Sequence, residues 1–255
     1  MSFAKKHYII SGGRGGIGLA TAKSLVAKGA SVTLADLQPP AESQLQELGT
    51  AAHFHACDIR KAANVEALVE ASMSRFGLPD GIVTSAGIDR HHDFFDLTDA
   101  EFAEILDVNV LGSFRLVQAC ARRWRNVPRT ALESYSAVLL SSVNAVIATP
   151  THTAYATSKG AIAQMARVLA VELADFGVRV NAMAPGTVRT AMLDQLETDR
   201  PDAMSKILAR TPLGRVAEPD EIAEGIAFLL GDGASYITGQ TLFADGGRTV
   251  QNLAL

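Results

Sequence analysis

Short apolar runs alternate with longer stretches of helical period along the whole chain. The runs at 7–10, 31–35, 52–57, 81–84, 137–141, 179–184 and 241–243 are bounded by turn residues and read as strands. The amphipathic or alanine-rich stretches at 17–28, 62–76, 100–125, 154–176 and 219–230 read as helices. Gly29, Gly77 and Gly177 follow three of them, where a left-handed cap residue is expected. Continuous apolar strands separated by helices predict an α/β fold, a parallel sheet covered on both faces. No repeat or linker-like break interrupts the pattern, so residues 1–255 are expected to form one domain. Residues 124–136 are expected to make a surface excursion before the fifth strand. Residues 187–215 follow a strand end and are long enough to fold over a cleft as a lid.

Composition narrows the function classes. Apolar residues make up 48% of the chain, and 23 Lys and Arg stand against 27 Asp and Glu, for a net charge of −4. That balance argues against nucleic acid or anionic membrane as a partner. No apolar window reaches the length of a membrane span. Cys57 and Cys120 have no C-x-x-C spacing, so free thiols in a reducing cytoplasm are expected.

Three sets of residues carry chemistry. Ser11-Gly12-Gly13-Arg14-Gly15-Gly16-Ile17-Gly18 lies between the first strand and the first helix. A pyrophosphate needs such a turn: N–H groups at a helix start, with no Cβ to hold the ligand away. Two glycine registers are open, Gly13/Gly15/Gly18 and Gly12/Gly16/Gly18. Asp36 closes the second strand at the distance expected of an acid that bonds the adenosine ribose. A carboxylate there repels a 2′-phosphate and favours NAD(H) over NADP(H), with Arg14 as a partial offset. Asp58 ends the third strand, where it either accepts from the adenine amino group or caps the helix beginning near Ala62. Finally, Tyr155 and Lys159 share one helix face at i and i+4, and Ser142 lies shortly before them. An ammonium beside a phenol favours the phenolate, which suits a base near neutral pH.

In this order and spacing the motifs resemble the short-chain dehydrogenase/reductase family over essentially the whole chain. They are the glycine turn, Asp36, Cys57-Asp58, Ser85-Ala86-Gly87, Asn109, Ser141-Ser142, Tyr155-x-x-x-Lys159, Asn181, Pro185-Gly186-Thr187-Val188-Arg189-Thr190 and Asp245-Gly246-Gly247. The resemblance implies a Rossmann-type, doubly wound, seven-stranded parallel sheet. It also implies a hydride transfer at a nicotinamide and an Asn109–Ser142–Tyr155–Lys159 tetrad. In that tetrad Asn109 holds a helix distortion and a water linking Lys159 to solvent. Ser142 bonds the substrate oxygen, Tyr155 exchanges the proton, and Lys159 binds the nicotinamide ribose and lowers the Tyr155 pKa. The family's glycine register is Gly12, Gly16 and Gly18. Cofactor contacts then fall on Ser11, Gly12, Arg14, Gly16, Ile17, Gly18, Asp36, Asp58, Ile59, Ala86, Gly87, Tyr155, Lys159, Pro185, Gly186, Val188 and Thr190. A homotetramer is implied, packed through the helices at 100–125 and 154–176. The chain departs from the family at Ser85, where asparagine is usual, at Ser11 for threonine, and at Ala145 for a frequent glycine.

The substrate end is expected to use residues 88–95, 143–147, His152 and the lid. Val143, Val146, Ile147, Met192 and Leu193 suggest an apolar pocket suited to a secondary alcohol, a diol or the ketone. His91, His92 and His152 read as surface histidines. Neither His91/His92 nor His53/His55 has an acid or thiol at ligand spacing, so no catalytic metal is expected. Two rival readings are an NADPH-dependent 3-oxoacyl-thioester reductase and a dinucleotide-binding sensor that has lost the chemistry.

Overall fold

The computed structural model describes residues 2–129, 133–191, 193–194 and 202–251. Its seven strands are β1 (His7–Ser11), β2 (Ser31–Asp36), β3 (Ala52–Ala56), β4 (Gly81–Thr84), β5 (Tyr135–Leu140), β6 (Val178–Pro185) and β7 (Thr241–Ala244). They form one parallel sheet in the order β3-β2-β1-β4-β5-β6-β7. β1, β4, β5 and β6 are buried along nearly their whole length, which is why they read as unbroken apolar runs.

The described helices are α1 (Gly16–Ala27), α2 (Glu42–Leu48), α3 (Ala62–Phe76), α4 (Asp99–Leu106), α5 (Gly112–Trp124), α6 (Thr153–Glu172), α7 (Ala203–Leu208) and α8 (Pro219–Leu230). α3, α5 and α6 cover one face through Leu68, Leu116 and Ile162. α1 and α8 cover the other through Leu25, Ile222 and Ile226. Gly29, Gly77 and Gly177 all adopt positive φ, as expected after α1, α3 and the last turn beyond α6.

Three expectations change. α2 and α7 were not legible, since each is only six or seven residues long, too short to show a helical period. The long helix expected at 100–125 is two helices joined by a π-helical turn at Asp107–Leu111. The stretch before β5 is anchored at both ends. Trp124 and Tyr135 are fully buried and stacked with ring centres 5.1 Å apart. The Trp124 indole donates to the Pro79 carbonyl at 2.8 Å, and the Arg129 guanidinium lies 4.0 Å over the Tyr135 ring.

Strand register sets up the site. Ser11 at the end of β1 lies opposite Ala35 on β2 and Thr84 on β4. The glycine turn, Asp36 and Ser85 therefore emerge side by side at the carboxyl edge. Chain order reverses between β1 and β4, and ligands of such sheets bind in the crevice at that reversal.

Candidate active site

A cleft of about 1070 Å³ runs along this carboxyl edge. Its wall at one end is the glycine turn. Gly12 has φ +70°, and a Cβ there would sit 2.6 Å from the Ala86 amide nitrogen. A Cβ on Gly18 would strike the Gly12 carbonyl and stand 2.6 Å from Ser85 Oγ. Gly16 has φ +52°, whereas Gly15 is extended at φ −165° with nothing within 4 Å of its Cβ direction. The steric demand thus falls on Gly12, Gly16 and Gly18. Gly13 is also tight, against the Leu34 side chain at 2.8 Å. Ser85, the departure from asparagine, still ties β4 to β1 by donating to the Ser11 carbonyl at 2.5 Å.

Asp36 stands beside this turn. Its carboxylate accepts from the Arg14 amide at 3.1 Å and the Leu37 amide at 2.8 Å. Asp58 is not the cap of α3, whose start at Lys61 has no side-chain cap. Its carboxylate is instead clasped by Arg60 through two bonds of 2.9 Å, which holds its pKa below the ordinary carboxylate value. Ser11, Arg14, Ile17, Ile59, Ala86, Gly87, Pro185, Gly186, Val188 and Thr190 line the same cleft.

Ser142, Tyr155 and Lys159 line its deeper part. β5 delivers Ser142 and the first turns of α6 deliver Tyr155 and Lys159. Ser142 Oγ accepts from the Asn144 amide at 3.2 Å and lies close enough to the Tyr155 hydroxyl to favour its ionised form. Lys159 Nζ donates to the Leu140 carbonyl at 2.8 Å and lies 5.4 Å from the Tyr155 ring centre. Burial dominates both groups: it pushes Tyr155 up to about 12 and Lys159 down to about 8. Burial outweighs any depression of Tyr155 by Lys159. The ammonium is directed at a carbonyl, and the nearby Asp89 carboxylate opposes a second negative charge.

Asn109 lies behind the cleft wall, inside the π-helical turn, 1% exposed. Its amide bonds both backbone groups of Ile88, at 2.8 and 3.0 Å, and donates to Ser158 Oγ at 2.9 Å. It clamps the loop after β4 to the helical turn that carries Lys159.

The substrate end is more polar than the sequence suggested. Asp89, His91, Asn144, Thr149 and His152 line it beside the expected Val143 and Leu193, while Val146, 62% exposed, and Ile147 are not part of the lining. Met192 lies outside the described residues. His152 is not a surface residue: its side chain is 14% exposed, with Nε2 3.4 Å from Asp89 Oδ2. His91 Nε2 lies 4.0 Å from the same oxygen, and the two rings meet edge to face at 4.3 Å. His92 instead faces Glu101 at 3.3 Å. An acid is supplied to His91 in space by Asp89, which the fold of this loop also brings to His152. Its signal in the sequence was faint, an acid two residues past Gly87.

Comparison with known proteins agrees with this geometry. A family model described as Enoyl-(Acyl carrier protein) reductase matches residues 12–249. A 2,5-dichloro-2,5-cyclohexadiene-1,4-diol dehydrogenase of Sphingobium indicum is 36% identical, over 96% of this chain and 97% of its own. A 3alpha-hydroxysteroid dehydrogenase of Mediterraneibacter gnavus is 35% identical, over 96% and 98%. The structure of a short-chain type dehydrogenase/reductase from Mycobacterium ulcerans superposes with a TM-score of 0.91 at 29% identity, covering 99% of this chain and 92% of that one. Sheet order, the cleft at the carboxyl edge and these likenesses define a nicotinamide-dependent oxidoreductase. The chain belongs to the short-chain dehydrogenase/reductase family.

Proposed function

We propose that this chain transfers a hydride between NAD(H) and a secondary alcohol or diol and its ketone, with Tyr155 exchanging the proton. The Ser142–Tyr155–Lys159 cluster, in one cleft with the bare glycine turn and Asp36, carries this reading. A dinucleotide fits the residues present, because the turn leads into the start of α1 with open space at Gly15, where a pyrophosphate can approach the backbone N–H groups. Bound nicotinamide dinucleotide supplies the hydride donor or acceptor.

Ser142 and Tyr155 line the same deep part of the cleft, so both hydroxyls converge on the place of a substrate oxygen. With its pKa raised, Tyr155 holds its proton at neutral pH, ready to give it to a carbonyl oxygen during reduction. Oxidation reverses the transfer and requires the phenolate, which the Lys159 ammonium, 5.4 Å from the ring centre, would favour once it turns from the Leu140 carbonyl toward the phenol oxygen. Asn109 keeps Lys159 in place through Ser158 and Ile88.

Asp36 supports NAD(H), its carboxylate standing at the end of β2 where a 2′-phosphate would meet a like charge. Arg60, which lines the cleft as Arg14 does, is committed to Asp58. Diol and hydroxysteroid activities named for two relatives support the alcohol class. The segment 187–215 serves as a lid, its described residues Thr187, Ala191, Leu193 and Ile207 lining the cleft. A homotetramer fits the exposed apolar Leu111 and Phe114 near the start of α5 and Val168 and Val171 on α6. No helix among the described residues is long and apolar enough to cross a membrane, and the two free thiols, Cys57 and Cys120, fit a reducing cytoplasm.

The description of the matching family favours one second reading, an NADPH-dependent reductase of acyl thioesters. Nicotinamide absorbance followed across secondary alcohols, diols, ketones and an oxoacyl thioester, with NAD(H) and NADP(H) in parallel, separates the two. Turnover of alcohols with NAD(H) supports the first reading. Turnover confined to NADPH and the thioester replaces it with the second, and dinucleotide binding without any turnover points to a non-catalytic sensor.

A further inference from the structure

We propose that Asp89, His91 and His152 form a binding site for one divalent first-row transition ion of the zinc type, open to the cleft. One carboxylate oxygen and one nitrogen from each ring lie within 4.8 Å of one another. An acid with two imidazoles is a donor set suited to such ions, and three protein ligands leave a position free.

The hydrogen bonds around His152 say what must lie between these groups. His152 Nδ1 is 2.9 Å from the Pro150 carbonyl, which can only accept, so Nδ1 carries the ring proton. In the neutral ring Nε2 then presents a lone pair to Asp89 Oδ2, 3.4 Å away. Two acceptors facing each other repel unless a cation joins them. The 3.4 Å separation is long for a hydrogen bond but matches the edge of a zinc tetrahedron. Bonds of about 2.05 Å give an edge of about 3.3 Å. A backbone carbonyl holding the far nitrogen is also the usual way a metal-binding histidine is oriented.

Asp89 adds a second observation. Its side chain is 6% exposed, and its Oδ1 is buried with no hydrogen-bond partner among the described groups. A carboxylate so placed is costly unless a cation compensates it. His91 Nε2, now 4.0 Å from Oδ2, sits on a side chain 30% exposed, with room to swing onto the ion.

This inference does not depend on the oxidoreductase reading, and its test uses binding alone. Metal-stripped full-length protein is titrated with zinc chloride by calorimetry, and with cobalt(II) by visible absorption. One ion per chain is expected, with the cobalt bands of a nitrogen/oxygen site. Affinity should fall by about tenfold or more in His152→Gln and Asp89→Asn and be unchanged in His55→Ala. Melting temperature and circular dichroism confirm that each variant is folded, and His91→Gln replaces either one that is not. Absence of binding at millimolar zinc, or equal binding by wild type and His152→Gln, would overturn the site.

Discussion

The glycine turn offers a sharp test, because two glycines three residues apart face opposite demands. At Gly12 the backbone has φ +70°, and an alanine methyl would stand 2.6 Å from the Ala86 nitrogen and 2.7 Å from the Ser85 carbonyl carbon. Both are backbone atoms at the end of β4, held by the sheet, so neither yields cheaply. The left-handed conformation costs alanine about 1–2 kcal/mol, and forcing a methyl into packed space costs about 1–3 kcal/mol. Gly12→Ala should therefore lose about 2–5 kcal/mol. Unfolding entropy of about 2.1 cal/mol/K per residue gives about 0.5 kcal/mol/K for this chain, hence a fall in Tm of about 4–9 °C. Gly15, extended and with open space around it, should accept alanine within about 0.5 kcal/mol, or about 1 °C. The assay is thermal unfolding by calorimetry without dinucleotide, at two scan rates. Equal losses for the two variants, or a Gly12→Ala melt within a degree of wild type, would refute the steric assignment.

Other consequences can be measured directly. Tyr155→Phe should lower kcat about a hundred- to ten-thousandfold. Ser142→Ala should lower it less, and comparable losses would count against the division of roles. Asp36→Ala removes a charged acceptor worth about 1.5–3 kcal/mol. NAD kcat/KM should therefore drop by about tenfold or more while NADP gains, and an unchanged preference would remove Asp36 from cofactor choice. His7 is buried and neutral, its pKa lowered from 6.5 to about 4 mainly by desolvation. Its stabilising contribution is complete above about pH 6.5 and is lost as pH falls toward 4, because the unfolded chain takes up the proton first. That window amounts to about 3 kcal/mol. Urea unfolding at pH 7 and pH 4.5 should show a smaller acid loss for His7→Gln than for wild type, and parallel losses would dismiss the assignment.

Much of the architecture was readable because the buried strands have few alternatives. Runs such as Ile9–Ile10 and Ile82–Val83 must be covered on both faces, and parallel strands need the crossover helices that the pattern supplied. Asp36, Asp58 and the glycine turn were readable because a strand end places its last residue at the sheet edge. The Tyr155–Lys159 pair was readable because helical spacing is local. The electrostatic state of Tyr155 was not, since desolvation and the direction of the Lys159 ammonium arise only when β5, α6 and the loop after β4 close together. The same holds for Trp124, which polar neighbours disguised as surface.

The sequence by itself determined the α/β class, the strand and helix order, the residues at the carboxyl edge and the family. These depend on periodicity and on spacing along the chain. Tertiary structure alone decided what a side chain at each glycine would strike, where the Asp58 carboxylate is spent, that Asn109 bonds Ile88 and Ser158, and that Asp89 meets His91 and His152. Each of those rests on contacts between segments far apart in sequence, such as Asp89 and His152. Such contacts exist only once the sheet has brought its strand ends together.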